Sequence, residues 1–122
     1  MDAQQLVHRA WELKKAGELA EALACYDKAY NAIVGDAVSY AHSKGGVVDE
    51  GSARKILPKN FTLVKEYLKQ GKDVATILNN MGVICAELGQ YGKAKGFFEE
   101  AIELTPENVD YPDPKTNLMN IK

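Results

Sequence analysis

The chain has only two cysteines, four prolines and one tryptophan in 122 residues, and no apolar run approaches the roughly 20 residues that a membrane-spanning helix needs. Two cysteines as far apart as Cys25 and Cys85 make neither a metal knuckle nor a redox pair, so both are expected to be reduced packing residues in helical segments. Net charge is also scarce. Fifteen Lys and Arg against 17 Asp and Glu leave −2, too little to create a field that would draw the whole molecule to a polyanion. Nucleic acid and anionic membrane are therefore poor default partners. Met1 to Ala10 lacks the basic start and apolar core of a secretory signal, so a cytoplasmic location is expected.

What is present is 46% hydrophobic and 26% charged residues, enough for one domain that buries roughly two-thirds of its unfolded surface. The most informative feature is an internal recurrence. With Gly17 set on Gly89, Leu6 falls on Leu78, Ala10 on Gly82, Leu13 on Cys85, Leu19 on Tyr91, Ala22 on Ala94, Tyr26 on Phe98 and Ala29 on Ala101, without a gap. Small residues where two helices cross, large ones between them and a Gly at the turn are what a two-helix repeat requires. The fold class expected is all-α.

Asp2 and Gln5 have the spacing of a capping box, and Leu6, Ala10 and Leu13 make one stripe up to a break near Gly17. From Glu18, the spacing Leu19, Ala22, Leu23, Tyr26, Ala29, Tyr30 and Ile33 predicts a second helix packing back on the first, with a break or kink favoured at Gly35. Lys44 to Pro58 carries Gly45, Gly46, Gly51 and Pro58 and reads as loop, with a helical turn at 52–56. Periodicity returns at Asn60 to Gln70 through Phe61, Val64, Tyr67 and Leu68. Asp73 is placed to cap a helix over 74–88. A helix over 90–104 follows and stops at Thr105 and Pro106, and Asp113-Pro114 restarts one with Leu118 and Ile121 on one side.

Leu78, Asn80, Met81, Gly82, Leu88, Gly89, Tyr91, Ala94, Phe98, Ala101 and Pro106 sit where the ~34-residue pattern of the tetratricopeptide repeat family expects such residues, and the chain resembles that family. The first copy keeps Ala10, Gly17, Ala22, Tyr26 and Ala29 but has Leu6 at the family's frequent Trp position and lacks the closing Pro. The resemblance implies a right-handed superhelical stack of antiparallel helix hairpins in a single domain, 1–122. Repeats at 3–36 and 75–108 flank an irregular middle hairpin and loop at 37–74, giving three stacked hairpins, and a short helix at 113–121 caps the end.

In that family the first helix of each hairpin lines a concave groove that holds an extended peptide or a partner helix. The corresponding positions are Gln4, Val7, His8, Trp11 and Lys15 in the first copy and Thr76, Asn79, Asn80, Val83 and Glu87 in the second. Only Asn80 matches the Lys, Asn and Arg set with which some members clamp a C-terminal carboxylate, so the groove is read as mixed and partly apolar. The function implied is a non-catalytic adaptor for a protein or peptide partner, without cofactor or metal. Self-association as a homodimer through an exposed end or through the lengthened middle loop is the alternative, and a regulatory fragment of a larger protein is another.

Other candidates point away from chemistry. Trp11 is either an interface anchor or a cover for the end of the stack. Tyr26, Tyr30, Tyr91, Phe97 and Phe98 fall on second helices and are expected in the core. His8 and His42 have no nucleophile arranged beside them, and Asp49 and Glu50 read as a solvated turn. The segment from Gly45 to Gly51 lacks the Lys and Ser or Thr of a phosphate loop. Arg54, Lys55, Lys59, Lys65, Lys69 and Lys72 are interleaved with or flanked by Asp49, Glu66 and Asp73, so they read as a solvated face rather than a nucleic-acid stripe.

Overall fold

The computed structural model describes residues 2–44 and 58–121, with side chains described at 2–44 and 63–121. Among the described residues there are six helices and no strand: α1 (Ala3–Lys15), α2 (Leu19–Ser43), α3 (Pro58–Leu68), α4 (Asp73–Glu87), α5 (Tyr91–Glu103) and α6 (Asp113–Met119). The expected turn at 52–56, the Gly45 to Gly51 segment, Asp49, Glu50, Arg54 and Lys55, and the side chains of Lys59 and Phe61, lie outside the described residues.

The two copies fold alike because the same local rules apply to each. At the start of α1 the capping box forms: Gln5 N donates to Asp2 Oδ1 and Asp2 N donates to Gln5 Oε1, both at 2.9 Å. Both first helices end in the same way. Gly17, with φ +83°, and Gly89, with φ +78°, take the left-handed conformation open to a residue without Cβ. The amide of Glu18 then reaches Leu13 O at 2.9 Å and that of Gln90 reaches Cys85 O at 2.8 Å. Gly17 N to Lys14 O and Gly89 N to Ala86 O complete a Schellman motif in each turn.

Small side chains then let the helices approach. Ala10, Ala22, Ala29, Ala94 and Ala101 are all 0% exposed, and the large residues between them, Tyr26 and Phe98, are buried as well. α1 packs on α2 and α4 on α5, the helix pairs that the recurrence predicts. Burying alanine contributes little transfer energy, so these positions act by letting Tyr26, Leu78, Met81, Ile84 and Phe98 fill the space around them.

Two expectations are corrected. The helix after Glu18 does not break at Gly35: α2 runs to Ser43, with Ala37 and Ala41 fully buried. An interior glycine costs only about 1 kcal/mol relative to Ala, and the apolar spacing on either side outweighs it. Three hairpins stacked in chain order are also expected, yet α2 is in direct contact with α4. Leu23 packs on the Cys85, Ala94 and Phe98 cluster, Asn80 Nδ2 donates to Tyr26 Oη at 3.3 Å, and the Tyr30 hydroxyl donates to the Glu100 carboxylate.

Among the described residues between the two repeats, α3 lies against α2. Val64 and Leu68 of α3 are buried, the Tyr67 ring lies 5.4 Å from that of Tyr40, and Lys65 Nζ meets Glu103 at 3.0 Å. A smaller correction concerns α4, which begins at Asp73 with Lys72 in the cap position and no side-chain cap. At the far end Pro114 is buried, and Leu118 and Ile121 close over Cys85, Ala94 and Phe98. Both cysteines are free thiols, Cys85 buried and Cys25 half-buried.

Candidate functional site

The five positions read from α4 do not share one fate. Thr76 and Asn79 lie beneath the segment that leads into and through α6: Asn79 is only 5% exposed, and its Oδ1 accepts from Asn117 Nδ2 at 2.9 Å. Tyr111 sits beside them. Burial pushes its phenol above the usual range, hydrogen bonding with Thr76 opposes this, the charge of Asp113 adds to it, and Asn79 opposes it again. The Thr76 hydroxyl itself donates to Lys72 O at 2.8 Å. Asn80 is half-buried and spends its amide on Tyr26 across the contact between the hairpins. These three residues hold the scaffold together.

Val83 and Glu87, one turn apart on α4, remain open. They line a recess of about 540 Å³ together with Ala86, Tyr91 and Phe98 and with Asn117, Asn120 and Ile121 at the C-terminal end of α6. Phe98 supplies a buried floor, Val83, Ala86 and Ile121 supply apolar walls, and Glu87, Tyr91 and the two amides supply a polar rim. Tyr91 is 56% exposed, which corrects its expected place in the core. It is the first residue of α5, beside the Gly89 turn, and α6 is only 7 residues long, too short to present a full-length helix face over it. Asn117, Asn120 and Ile121 were not legible as site residues. Asn117 belongs to α6, whereas Asn120 and Ile121 follow its last residue, Met119, where helical spacing gives no signal.

The α1 positions line a different surface. Gln4 and His8 border an open recess of about 550 Å³ with Gln5, Arg9 and Glu12, and His8 Nε2 lies 3.8 Å from Glu12 Oε1. Val7 is half-buried against the core. Trp11 is 48% exposed with Lys15 Nζ 4.0 Å from its ring centroid, so at this position the indole is presented to solvent beside a cation. No α1 residue lines the recess that holds Val83 and Glu87.

His8 and His42 are both exposed, and among the described residues no cluster of three or more His, Cys, Asp or Glu is placed to hold a metal ion. Burial raises the Cys85 thiol above its ordinary range against the opposing charge of Lys93, so the thiol stays protonated at neutral pH. In the middle segment Lys65 and Lys69 face Glu103 and Glu107, so their charge is locally answered. No helix among the described residues is long and apolar enough to cross a membrane.

Residues 75–108 match the tetratricopeptide repeat family model. No curated protein and no solved structure matches the chain.

Proposed function

We propose that this chain, which carries a tetratricopeptide repeat at residues 75–108, is a non-catalytic adaptor that holds a peptide or helix of a protein partner on the outer face of α4. Repeats of this family are generally protein-protein interaction modules. The observation that carries the reading is the recess of about 540 Å³ beside Val83 and Glu87: it joins an apolar floor to a rim of amide groups, the combination suited to an anchoring side chain and the backbone around it. The α1 face, with Gln4, His8, Trp11 and Lys15, is read as a second contact area for the same partner. The chain is taken as one domain, its hairpins following a right-handed superhelical course, working in the cytoplasm with neither nucleic acid nor membrane as partner.

The test is selection of a phage-displayed peptide library on the folded chain, followed by amide chemical-shift titration with the enriched peptides. Shifts centred on Val83, Glu87, Asn117 and Asn120, lost in Val83→Asp, are expected. Shifts confined to other surfaces would remove this site.

Self-association is the second reading, favoured by Leu88, Tyr91 and Met119, which are 41%, 56% and 84% exposed toward the C-terminal part of the chain. Light scattering across a concentration series decides it. A mass that stays at 13.4 kDa eliminates a homodimer.

A further inference from the structure

Among the described residues that line the recess beside Val83, Glu87 is the acidic one and none is Lys, Arg or His. Resting on the reading of this recess as the partner site, we propose that it selects a segment in which an apolar side chain is flanked by Lys or Arg.

The apolar part of such a segment finds Phe98 beneath it and Val83, Ala86 and Ile121 around it. Glu87, the last residue of α4, and Tyr91, the first of α5, stand on either side of the Gly89 turn and are both exposed. A guanidinium or ammonium at the mouth has the Glu87 carboxylate and the Tyr91 ring, which line the same recess, within its reach. The planar guanidinium suits this pair better than the ammonium, because it stacks on the ring while donating to the carboxylate. Asn120, exposed on the rim, offers both a donor and an acceptor to peptide backbone, whereas the Asn117 amide nitrogen is already committed to Asn79.

Two described lysines stand outside the recess. Lys93 acts on the Cys85 thiol but does not line the recess, and Lys115 lines a separate one with Tyr111 and Asp110. A segment that brings Asp, Glu or a terminal carboxylate to the mouth meets Glu87 with like charge and no cation among the described lining residues. Because Glu87 is solvent-exposed, the discrimination is modest, about fivefold for one flanking charge, and it governs choice of partner more than total affinity.

The experiment is the same library selection carried out in parallel on the wild-type chain, on Glu87→Lys and on Val83→Asp, with a circular dichroism spectrum of each variant to establish folding. An apolar residue flanked by Arg or Lys should be enriched on the wild type. On Glu87→Lys the flanking preference should change to Asp or Glu, and reciprocal fluorescence-anisotropy titrations of Arg-flanked and Glu-flanked versions of one enriched peptide should show about fivefold preferences of opposite sign. Enrichment of an apolar motif with neutral or acidic flanks, or flanks that stay basic on Glu87→Lys, would overturn the charge assignment while leaving the recess as the site. Enrichment that is absent from the wild type, or that persists unchanged on folded Val83→Asp, would overturn the site and the charge assignment together.

Discussion

The ring of Phe98 lies over Gly82 so closely that a Cβ added at position 82 would meet its Cε1, Cδ1 and Cζ at 2.5, 2.7 and 2.9 Å. Real Cβ atoms are not found so near another heavy atom, and the ring is 1% exposed. Gly82→Ala gains up to about 1 kcal/mol of helix propensity and loses more through overpacking, typically about 1–3 kcal/mol. A net destabilisation is expected in urea unfolding. Phe98→Leu placed in the Gly82→Ala background should recover part of it, a coupling that independent sites would not show. Gly82→Ala at wild-type stability would mean that α4 and α5 can separate without cost.

Gly17 and Gly89 serve a different purpose. Neither has any atom within 4 Å of where a Cβ would stand, yet both have positive φ. Gly→Ala at either site should cost about 1 kcal/mol through backbone strain alone, and the two losses should add because the turns belong to different hairpins. The check that isolates the cause is chemical synthesis with D-alanine at position 89, which accepts this φ and should be at least as stable as glycine. Equal losses from both enantiomers would point to a clash instead.

Stability should fall at alkaline pH. Burial holds the Tyr26 phenol above its ordinary range, against a smaller opposing effect from the Asn80 hydrogen bond, and Tyr111 and Cys85 are raised by burial too. A group whose folded pKa lies above its unfolded value stays protonated longer in the folded chain. Its stabilisation is complete below the unfolded pKa, near 9 for the thiol and 10 for the phenols, and is lost as pH rises through the folded pKa. Urea midpoints should thus be insensitive to these three groups at neutral pH and decline above about pH 9. Tyr26→Phe should flatten the upper part of that decline while costing about 1 kcal/mol at pH 7, where Asn80 loses its acceptor.

The parts of the fold that were legible in the sequence are those set by contacts within one hairpin. The Asp2 and Gln5 cap, the Gly17 and Gly89 turns and the alternation of Ala22 with Tyr26 or Ala94 with Phe98 are local rules, and each appears as its spacing implied. The run of α2 past Gly35 was ambiguous because one exposed glycine costs no more than the burial of Ala37 and Ala41 with the neighbouring Val34 and Val38 restores. The burial of Asn79 was not legible at all. It depends on Tyr111 and Asn117, which reach α4 from a short segment whose own periodicity is too brief to declare a partner. For the same reason Val83 and Glu87 were recognised as outward positions, whereas the Asn120 and Ile121 that complete their recess were not.

The seating of α3 tests how much its charges contribute. Lys65 and Glu103 meet at 3.0 Å with side chains 31% and 52% exposed, whereas Lys69 and Glu107 meet at 3.9 Å with Glu107 95% exposed. A partly shielded pair in good geometry is worth about 0.2–1 kcal/mol, and a fully solvated one almost nothing. A double-mutant cycle with Lys65→Met and Glu103→Gln should therefore return a coupling of about 0.5 kcal/mol that shrinks in high salt, while the matching cycle on Lys69 and Glu107 returns none. The cycle is needed because Lys65 has interactions besides Glu103, so a single substitution would overstate the pair. A null coupling at Lys65 would leave Val64, Leu68 and the Tyr40–Tyr67 ring contact as what holds α3 against α2, and α3 would then dock by apolar burial with no directional contribution from charge.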